Sequence, residues 1–493
     1  MKKITVTVNG KIISAQSGEF LSEIIRGEKP CGGHGKCGKC KVIAKGELSQ
    51  PSDAELSLLS QEELMQGFRL ACLTQVLGNC EINTISDSAD THIVTEGIMP
   101  EFELKPAFSK YGVAIDIGTT TLAARLYDTN GKMLSEVSRL NPQTECGADV
   151  ISRIEAALDG NEKTLADSIR NALSEIICEF DVPTKSIDGV VITGNTVMLS
   201  LLTEESVEPF SRAPFDVKRL FGETLTADGL ALKGLKGDTP VYLPPCISAF
   251  VGADITCALL ATELYKKDTA MLVDIGTNGE MALRHDGKLT VCSTAAGPAF
   301  EGVGISMGMR GKTGAIDKVM LTDGKLSVHV IGEAEPTGIC GSGLIDAVAC
   351  LIETGDIDET GFMEDDEITL ASPVTITQKD IRMLQLAKSA ICAGLLTLTD
   401  SKKLTSCDVL YIAGGFGNYL SKENAVKIGL LPANLSKASK NVGNAALTGA
   451  SMLLLNTAFA DTVRDLSKNA DILDLSSNPT FSDHYVNKMT FGN

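Results

Sequence analysis

The sequence predicts an α+β protein of several domains: a small N-terminal domain rich in β-strands, a linker, and a larger α/β region with two related lobes. Three observations predict it. A cysteine- and glycine-rich loop follows a β-hairpin signal near the N-terminus, a segment without clear periodicity comes next, and a strand ending in Asp-x-Gly-Thr then occurs twice. The expected boundaries are 1–85, 86–111, 112–205 and 206–493.

Composition and charge exclude several classes of protein. Hydrophobic residues make up 43% of the 493-residue chain and charged residues 22%, which is usual for a globular protein with a large core. The net charge of −19 repels phosphate backbones and excludes nucleic acid as a partner. No apolar run reaches the roughly 18 residues of a membrane span, and the alternating N-terminus is not that of a signal peptide. We therefore expect a cytoplasmic protein with no membrane partner, whose 14 cysteines are thiols or metal ligands.

Four cysteines form the predicted metal site. Cys31, Cys37 and Cys40 have C-x5-C-x2-C spacing in the segment PCGGHGKCGKC, and Cys72 follows after 31 further residues. Glycines in this loop let the backbone curl tightly and direct amides towards sulfur, which favours a 2Fe–2S cluster. A structural zinc ion on the same four thiolates is less favoured, because such sites usually show two C-x2-C pairs and only one is present.

The residues before this loop agree with a cluster-binding domain. ITVTV, the Asn9-Gly10 turn and KIISA predict a hairpin, and FLSEIIRG has helical spacing. Residues 1–85 thus resemble the single-cluster ferredoxins, in particular the adrenodoxin-like branch, which implies a β-grasp domain holding a 2Fe–2S cluster. Cys80 lies outside the ligand pattern and is expected to be a small buried hydrophobic residue. The lysines around the loop either dock an acidic electron-transfer partner or are simply solvated.

Residues 86–111 are interpreted as a linker, because they contain two prolines and several polar residues and lack periodicity. A tether of this length lets a ferredoxin domain reach more than one partner.

Two similar segments predict a site for phosphate and magnesium. GVAIDIGTTT and MLVDIGTNGE each place an aspartate near a strand end before glycine and hydroxyl residues, 158 residues apart. The carboxylate suits the water shell of a magnesium ion, while amides and hydroxyls suit phosphate oxygens. A third glycine-rich segment, AGGFG, follows a later strand. Two copies predict duplicated halves, although glycine turns also occur in α/β proteins that bind no nucleotide.

Together these three segments resemble the phosphate-1, phosphate-2 and adenosine elements of the superfamily of actin, sugar kinases and heat-shock chaperones. The resemblance implies two ribonuclease-H-like lobes with ATP and Mg²⁺ in the cleft between them. It places Asp116 and Asp274 at the metal and the attacking water as catalytic residues. The remaining nucleotide-binding residues that it implies are Gly118, Thr119, Thr120, Thr121, Gly276, Thr277, Asn278, Gly279, Gly414, Gly415 and Phe416.

Further segments extend the resemblance to nearly the whole chain: NPQTECGADVISRIEAAL, ITGNTVMLSLL, LPPCISAFVGADI, AAGPAFEG, GICGSGLIDAV and VGNAALTGA. With the N-terminal cluster module, they identify a member of the reductive activators of corrinoid proteins, the RACo type. The resemblance implies a corrinoid-protein partner whose inactive Co(II) is reduced to Co(I) at the expense of ATP, with a low-potential electron donor upstream. The subunit count stays open, and a homodimer is one possibility.

Three other functions remain open from the sequence. One is a small-molecule kinase of the same superfamily, another is an electron-transfer protein merely gated by ATP, and a third is an activator of a dehydratase. Several single residues also have two interpretations. Asp149 and Asp346 either favour helix starts or take part in catalysis, Glu280 either orients water or ends a turn, and Gly341-Ser342-Gly343 either faces a phosphate or permits close packing.

Overall fold

The computed structural model describes residues 3–25, 33, 35, 38, 40–84, 99–415 and 420–492. By their internal contacts the residues form two compact units. The first comprises Met1–Ala89, Asn141–Ala172 and Ser200–Pro214, and the second comprises Asp90–Leu140, Leu173–Leu199 and Phe215–Asn493.

The N-terminal ferredoxin-type domain is a five-stranded sheet with short helices. Its strands are β1 (Lys3–Val8), β2 (Lys11–Gln16), β3 (Lys41–Leu48), β4 (Phe68–Leu70) and β5 (Val76–Thr84), in the order β2-β1-β5-β3-β4. Its helices are α1 (Leu21–Ile24), α2 (Asp53–Leu58) and α3 (Gln61–Gln66). The predicted hairpin is confirmed: Asn9 and Gly10 have φ of 49° and 79°, as a two-residue turn of the I′ type requires. Cys80 is buried on β5, as expected.

The first six-stranded sheet follows from residue 111. Its strands are β6 (Tyr111–Ile117), β7 (Thr121–Asp128), β8 (Met133–Leu140), β9 (Ile187–Gly194), β10 (Glu223–Thr226) and β11 (Pro240–Leu243), in the order β10-β11-β9-β6-β7-β8. The β6-β7-β8 meander is antiparallel, whereas β9 pairs with β6 in parallel. Strands β10 and β11 belong to this first sheet, whereas the boundary expected from the sequence placed their residues in the second lobe.

The second half of the chain repeats this topology and adds two small sheets. Its strands are β12 (Thr269–Ile275), β13 (Asn278–His285), β14 (Lys288–Ala295), β15 (Ala315–Thr322), β16 (Lys325–Val330), β17 (Gly338–Ile339), β18 (Glu367–Ala371), β19 (Val374–Thr377), β20 (Val409–Ala413), β21 (Ser439–Gly443) and β22 (Ala470–Ile472). The main sheet has the order β21-β20-β12-β13-β14-β22. Because β12 pairs with β13 antiparallel and with β20 in parallel, it corresponds to β6, and the predicted internal repeat is confirmed in the fold.

The remaining described residues form further helices. They are α4 (Val150–Ala156), α5 (Glu162–Glu179), α6 (Thr196–Thr203), α7 (Ala253–Ala261), α8 (Gly341–Thr354), α9 (Gln378–Ser401), α10 (Lys422–Lys427), α11 (Ala433–Ser436), α12 (Ala445–Leu455), α13 (Phe459–Lys468) and α14 (Pro479–Asn487). Helix α9 is long and apolar enough to cross a membrane, but 78% of its most apolar 18-residue window is buried inside the protein, as in a core helix.

Helices α7 and α12 pack tightly together in one hydrophobic core that draws on both large sheets. Gly449 makes this approach possible, since a Cβ atom at its position would lie 2.0 Å from the carbonyl oxygen of Cys257. Each helix contributes a residue of its first turn, Asp254 of α7 and Ala446 of α12, to the cleft described below.

The described part of the predicted linker lies against the second unit, to which it belongs. Lys105 N donates to Leu455 O at 2.9 Å, and Ala107 N donates to Leu454 O at the same distance. Phe102 packs edge-on against Phe459 with ring centroids 5.2 Å apart. Residues 85–98 lie outside the described residues.

Candidate nucleotide site and iron–sulfur site

A cleft of about 430 Å³ opens where the two repeated strand-turn segments approach each other. Both segments contribute because β6 and β12 occupy equivalent positions in their sheets and end at the same cleft. The predicted residues that line it are Asp116, Gly118, Thr119, Thr120, Thr121, Asp274, Gly276, Thr277, Asn278, Gly414 and Gly415. Gly279 lies one residue further along β13, and Phe416 lies outside the described residues.

Four acidic side chains line the cleft: Glu280 is buried, and Asp116, Asp254 and Asp274 are half-buried. Burial raises the pKa of Asp116 to about 6, although a hydrogen bond from Asn444 opposes the rise. Burial and the charge of Asp116 raise the pKa of Asp274 to about 7. Burial and the charge of Asp274 raise the pKa of Asp254 to about 8, and burial and the neighbouring acids also raise the pKa of Glu280. The four acids repel a phosphate group that has no counter-ion and favour a phosphate group that binds together with a cation.

These acids lie close together, because neighbouring carboxylates raise the pKa values of Asp254, Asp274 and Glu280. Among the described residues, no group of three His, Cys, Asp or Glu side chains is arranged to hold one metal ion directly. Mg²⁺ keeps several of its waters in proteins and commonly takes its remaining ligands from substrate phosphates. Carboxylate oxygens are suitable acceptors for hydrogen bonds from such waters.

Asp254 is a site residue that the sequence did not predict. It lies in the first turn of α7, where its Oδ1 accepts a hydrogen bond from Ile255 N at 2.8 Å. No spacing in the sequence links it to the Asp-x-Gly-Thr segments, because α7 reaches the cleft only through tertiary packing. The one signal in the sequence is an acidic residue opening a helix whose following residues are all apolar or small and buried.

Two asparagines were also missed. Asn444 caps α12 by accepting from Leu447 N at 2.7 Å, and its Nδ2 donates to Asp116 Oδ2 at 2.9 Å. Asn195 Nδ2 donates to Thr119 Oγ1 at 3.2 Å. These contacts fix an aspartate and a hydroxyl of the first turn segment.

Local geometry assigns a structural role to three residues whose function the sequence left open. Asp149 caps α4 by accepting from Ser152 N at 2.7 Å, and Asp346 is buried within α8 and accepts from Asn424 Nδ2 at 2.7 Å. A Cβ atom on Gly341 would lie 2.0 Å from Phe300 O, so this glycine permits close packing, while the helix start also borders the cleft.

The N-terminal domain brings two of the four predicted cluster ligands together. The sulfur atoms of Cys40 and Cys72 are 3.2 Å apart, and Ala71 N donates to Cys40 O at 2.8 Å. Gly35 and Gly38 both have φ of 65°, a conformation that favours glycine. Adjacent cysteine sulfurs beside such a loop fit a shared inorganic centre. Cys31 and Cys37 lie outside the described residues.

Fold and site together define a class of protein: an iron–sulfur ferredoxin domain joined to an ATPase-type domain of the actin and sugar-kinase superfamily. Comparison with known families agrees. Residues 6–77 match the 2Fe-2S iron-sulfur cluster binding domain, residues 111–267 match the RACo middle region, and residues 268–493 match the C-terminal domain of RACo, the ASKHA domain.

The chain belongs to the RACo-type family of corrinoid-protein activators. It is 37% identical over 427 residues to the corrinoid activation enzyme RamQ of Eubacterium limosum, covering 78% of this chain and 70% of that protein. It is 26% identical to the [Co(II) methylated amine-specific corrinoid protein] reductase of Methanosarcina barkeri, with 77% of each chain covered. A solved structure of a reductive activator for corrinoid,iron-sulfur protein superposes with a TM-score of 0.71 at 28% identity, covering 99% of this chain and 98% of that one.

Proposed function

We propose that this protein activates a corrinoid methyl-carrier protein by passing one electron to its inactive Co(II) and regenerating Co(I), in a reaction driven by ATP. The observation that carries the proposal is one chain with two sites, a pair of adjacent cysteines in a ferredoxin domain and an acidic cleft between duplicated phosphate-type turns. The names of two relatives, a corrinoid activation enzyme and a corrinoid-protein reductase, support the same reaction class.

The proposed ligands of the 2Fe–2S cluster are Cys31, Cys37, Cys40 and Cys72. When bound, a 2Fe–2S cluster supplies single electrons at a low potential. The hydrogen bond from Ala71 N to Cys40 O ties the segment that carries Cys72 to the residue Cys40. A separate low-potential electron donor must reduce the cluster again after each electron transfer.

Binding of ATP explains how an energetically unfavourable electron transfer to cobalt proceeds. Single-cluster ferredoxins have potentials of roughly −400 mV or higher, whereas Co(I) in a corrinoid is a stronger reductant, so the transfer runs uphill. A ligand that prefers one of two states by about 5.5 kcal/mol shifts their ratio by about 10⁴. For one electron that factor corresponds to about 240 mV. We expect one ATP, bound more tightly to one form of the protein, to contribute a driving force of this size.

In this scheme the two turn segments bind the phosphates of ATP. Amides of the glycines and the hydroxyls of Thr119, Thr120 and Thr277 donate to phosphate oxygens. Mg²⁺, when bound with ATP, supplies the positive charge that the buried acids require. Asp116 and Asp274 orient its water shell and the attacking water. The nucleotide-bound form holds the corrinoid protein in the geometry that eases reduction, and hydrolysis releases it.

An anaerobic spectroscopic assay tests this function. A Co(II) corrinoid protein is mixed with this protein, a strong reductant and Mg-ATP, and the visible spectrum of cobalt is followed while ATP hydrolysis is counted. Conversion to the Co(I) spectrum only with ATP, with ATP consumption coupled to reduced cobalt, is expected. Equal reduction without ATP contradicts the proposal and favours a simple electron carrier. Transfer of the phosphoryl group to a small acceptor favours a kinase.

A further inference from the structure

The carboxylate of Glu301 bridges the two turn segments of the cleft. Its Oε1 accepts a hydrogen bond from Thr277 Oγ1 at 2.5 Å, and its Oε2 accepts one from Thr120 Oγ1. Thr120 lies between β6 and β7, and Thr277 lies between β12 and β13, so the bridge joins equivalent turns of the two repeats. A single carboxylate thus accepts hydrogen bonds from hydroxyl groups of both repeats.

The turn that carries Glu301 is firmly anchored. Glu301 ends a 3-10 turn, Pro298–Glu301, that is flanked by Gly297 and Gly302 with φ of 79° and 76°. Gly297 N donates to Thr277 O at 2.9 Å, which ties the start of this turn to the backbone of the second segment. A Cβ atom on Gly302 would lie 2.6 Å from Met309 N, so the chain after the carboxylate also follows a fixed path.

The charge of Glu301 makes this position unusual. The same cleft is lined by one arginine, Arg310, and by five other carboxylates, and the charge of Glu301 adds to the repulsion among these acids; the five are Asp116, Asp254, Asp274, Glu280 and Asp317. Within the described residues, no Lys, Arg or His side chain forms an ion pair with Glu301 that would offset it. The contacts that the structure shows for the carboxylate are its two hydrogen bonds from hydroxyl groups.

We infer that Glu301 is an internal stand-in for a phosphoryl group of ATP. Carboxylate and phosphoryl oxygens both accept hydrogen bonds from hydroxyls, and the same two hydroxyls cannot serve both anions fully. In the nucleotide-free protein Glu301 holds the two turns together, and the entering phosphoryl group displaces it and takes over the bridge. Glu301 is thus a positioning residue that lowers the affinity for ATP and couples its arrival to a change at the turns. This inference rests on the proposed binding of ATP in the cleft.

Two variants of Glu301 and one control test the inference. Glu301→Gln removes the charge at nearly constant shape, and Glu301→Ala removes the competing acceptor altogether. Glu335→Gln makes the same charge change at an exposed residue outside the cleft lining. Equilibrium binding of a non-hydrolysable Mg-ATP analogue is measured for each. Both Glu301 variants are expected to bind about two- to ten-fold more tightly, the factor that corresponds to one net hydrogen bond, while Glu335→Gln matches the wild type.

Kinetics supply a second readout that a merely structural role would not produce. If Glu301 leaves the donors when ATP binds, its removal lowers KM for ATP and changes kcat little. Unchanged or weaker binding in both folded variants overturns the inference, as does a collapse of kcat. Thermal unfolding of each variant identifies any loss of fold.

Thr120→Val tests the donor side and separates the inference from the proposed function. It removes one shared hydroxyl and is expected to weaken ATP binding even in the Glu301→Ala background; unchanged affinity there contradicts a shared donor. If the wild type itself binds no nucleotide, the proposed function fails. If the wild type binds ATP but the Glu301 variants bind it no more tightly, only the present inference fails.

Discussion

The carboxylate of Glu55 is completely buried in the ferredoxin domain and receives both arms of the Arg69 guanidinium. Arg69 Nε and Nη2 each donate to one oxygen at 3.1 Å. Thr74 Oγ1 and Leu70 N add hydrogen bonds of 2.9 and 3.0 Å to Oε1. The pair thus fixes the segment that carries Cys72, one of the proposed cluster ligands.

We predict that Glu55→Gln destabilises the ferredoxin domain by about 3 to 5 kcal/mol, because it leaves the buried guanidinium without its counter-charge. Denaturant unfolding followed by the cluster absorbance measures the effect. The same substitution at exposed Glu81 on β5 is the control and is expected to change stability little. A loss below about 1 kcal/mol at Glu55 would contradict a structural role for this pair.

The carboxylate of Glu55 also makes the stability of the domain depend on pH in the acidic range. Burial raises the pKa of Glu55, but hydrogen bonds from Arg69, Leu70, Ser52 and Thr74 outweigh burial and leave the pKa below its usual 4.5. A lowered folded pKa means that the contribution to stability is complete above 4.5 and is lost as pH falls through the folded value. Unfolding at a series of acidic pH values is expected to show this loss in the wild type and a flatter profile in Glu55→Gln.

Another prediction distinguishes a cysteine that binds the cluster from a buried cysteine outside the ligand pattern. Cys72→Ala should abolish the visible absorption of the cluster, since it removes a proposed ligand, while nucleotide binding persists. Cys80→Ala is the matched control, because Cys80 is equally buried at 8% exposure but lies on β5 outside the ligand pattern. Iron and acid-labile sulfide are measured alongside the spectrum. Zinc without sulfide in the purified protein, or an intact spectrum in Cys72→Ala, would contradict the assignment.

The sequence predicts the parts of this molecule in which local pattern determines structure. Asn9-Gly10 specifies its turn because both positions need positive φ, and the paired Asp-x-Gly-Thr segments predict duplicated halves because each lies between strands of the same pattern. The other residues of the cleft are brought together by tertiary packing, which local sequence pattern does not predict. Asp254, Glu301 and Asn444 reach the cleft from a helix, a 3-10 turn and a helix cap, and no spacing in the chain relates them to Asp116.

Another prediction concerns Asp274, which is half-buried and lies one residue before the end of β12. Asp274→Ala should leave the cluster spectrum unchanged and abolish ATP-dependent cobalt reduction, since it removes a group proposed to orient water and magnesium. Asp268→Ala alters an exposed aspartate just before the same strand and is expected to retain activity. ATP hydrolysis and the cobalt spectrum are measured together. Wild-type ATPase in Asp274→Ala would show that the metal site is misassigned.

The last prediction separates the two roles of Asn444. Its Oδ1 caps α12 while its Nδ2 donates to Asp116, so Asn444→Asp keeps the cap acceptor but replaces the donor with a carboxylate facing a buried aspartate. ATP hydrolysis should fall strongly as the two acids repel each other, because the carboxylate cannot supply the hydrogen bond that the amide donates.

Asn444→Ala provides the comparison, because it removes both the cap and the donor but adds no charge. It should cost about 0.5 to 2 kcal/mol of stability through the lost cap and reduce hydrolysis less than Asn444→Asp. Thermal unfolding and ATPase assays on both variants test this order. If the alanine variant is the less active of the two, Asn444 acts mainly through the helix rather than through the electrostatics of Asp116.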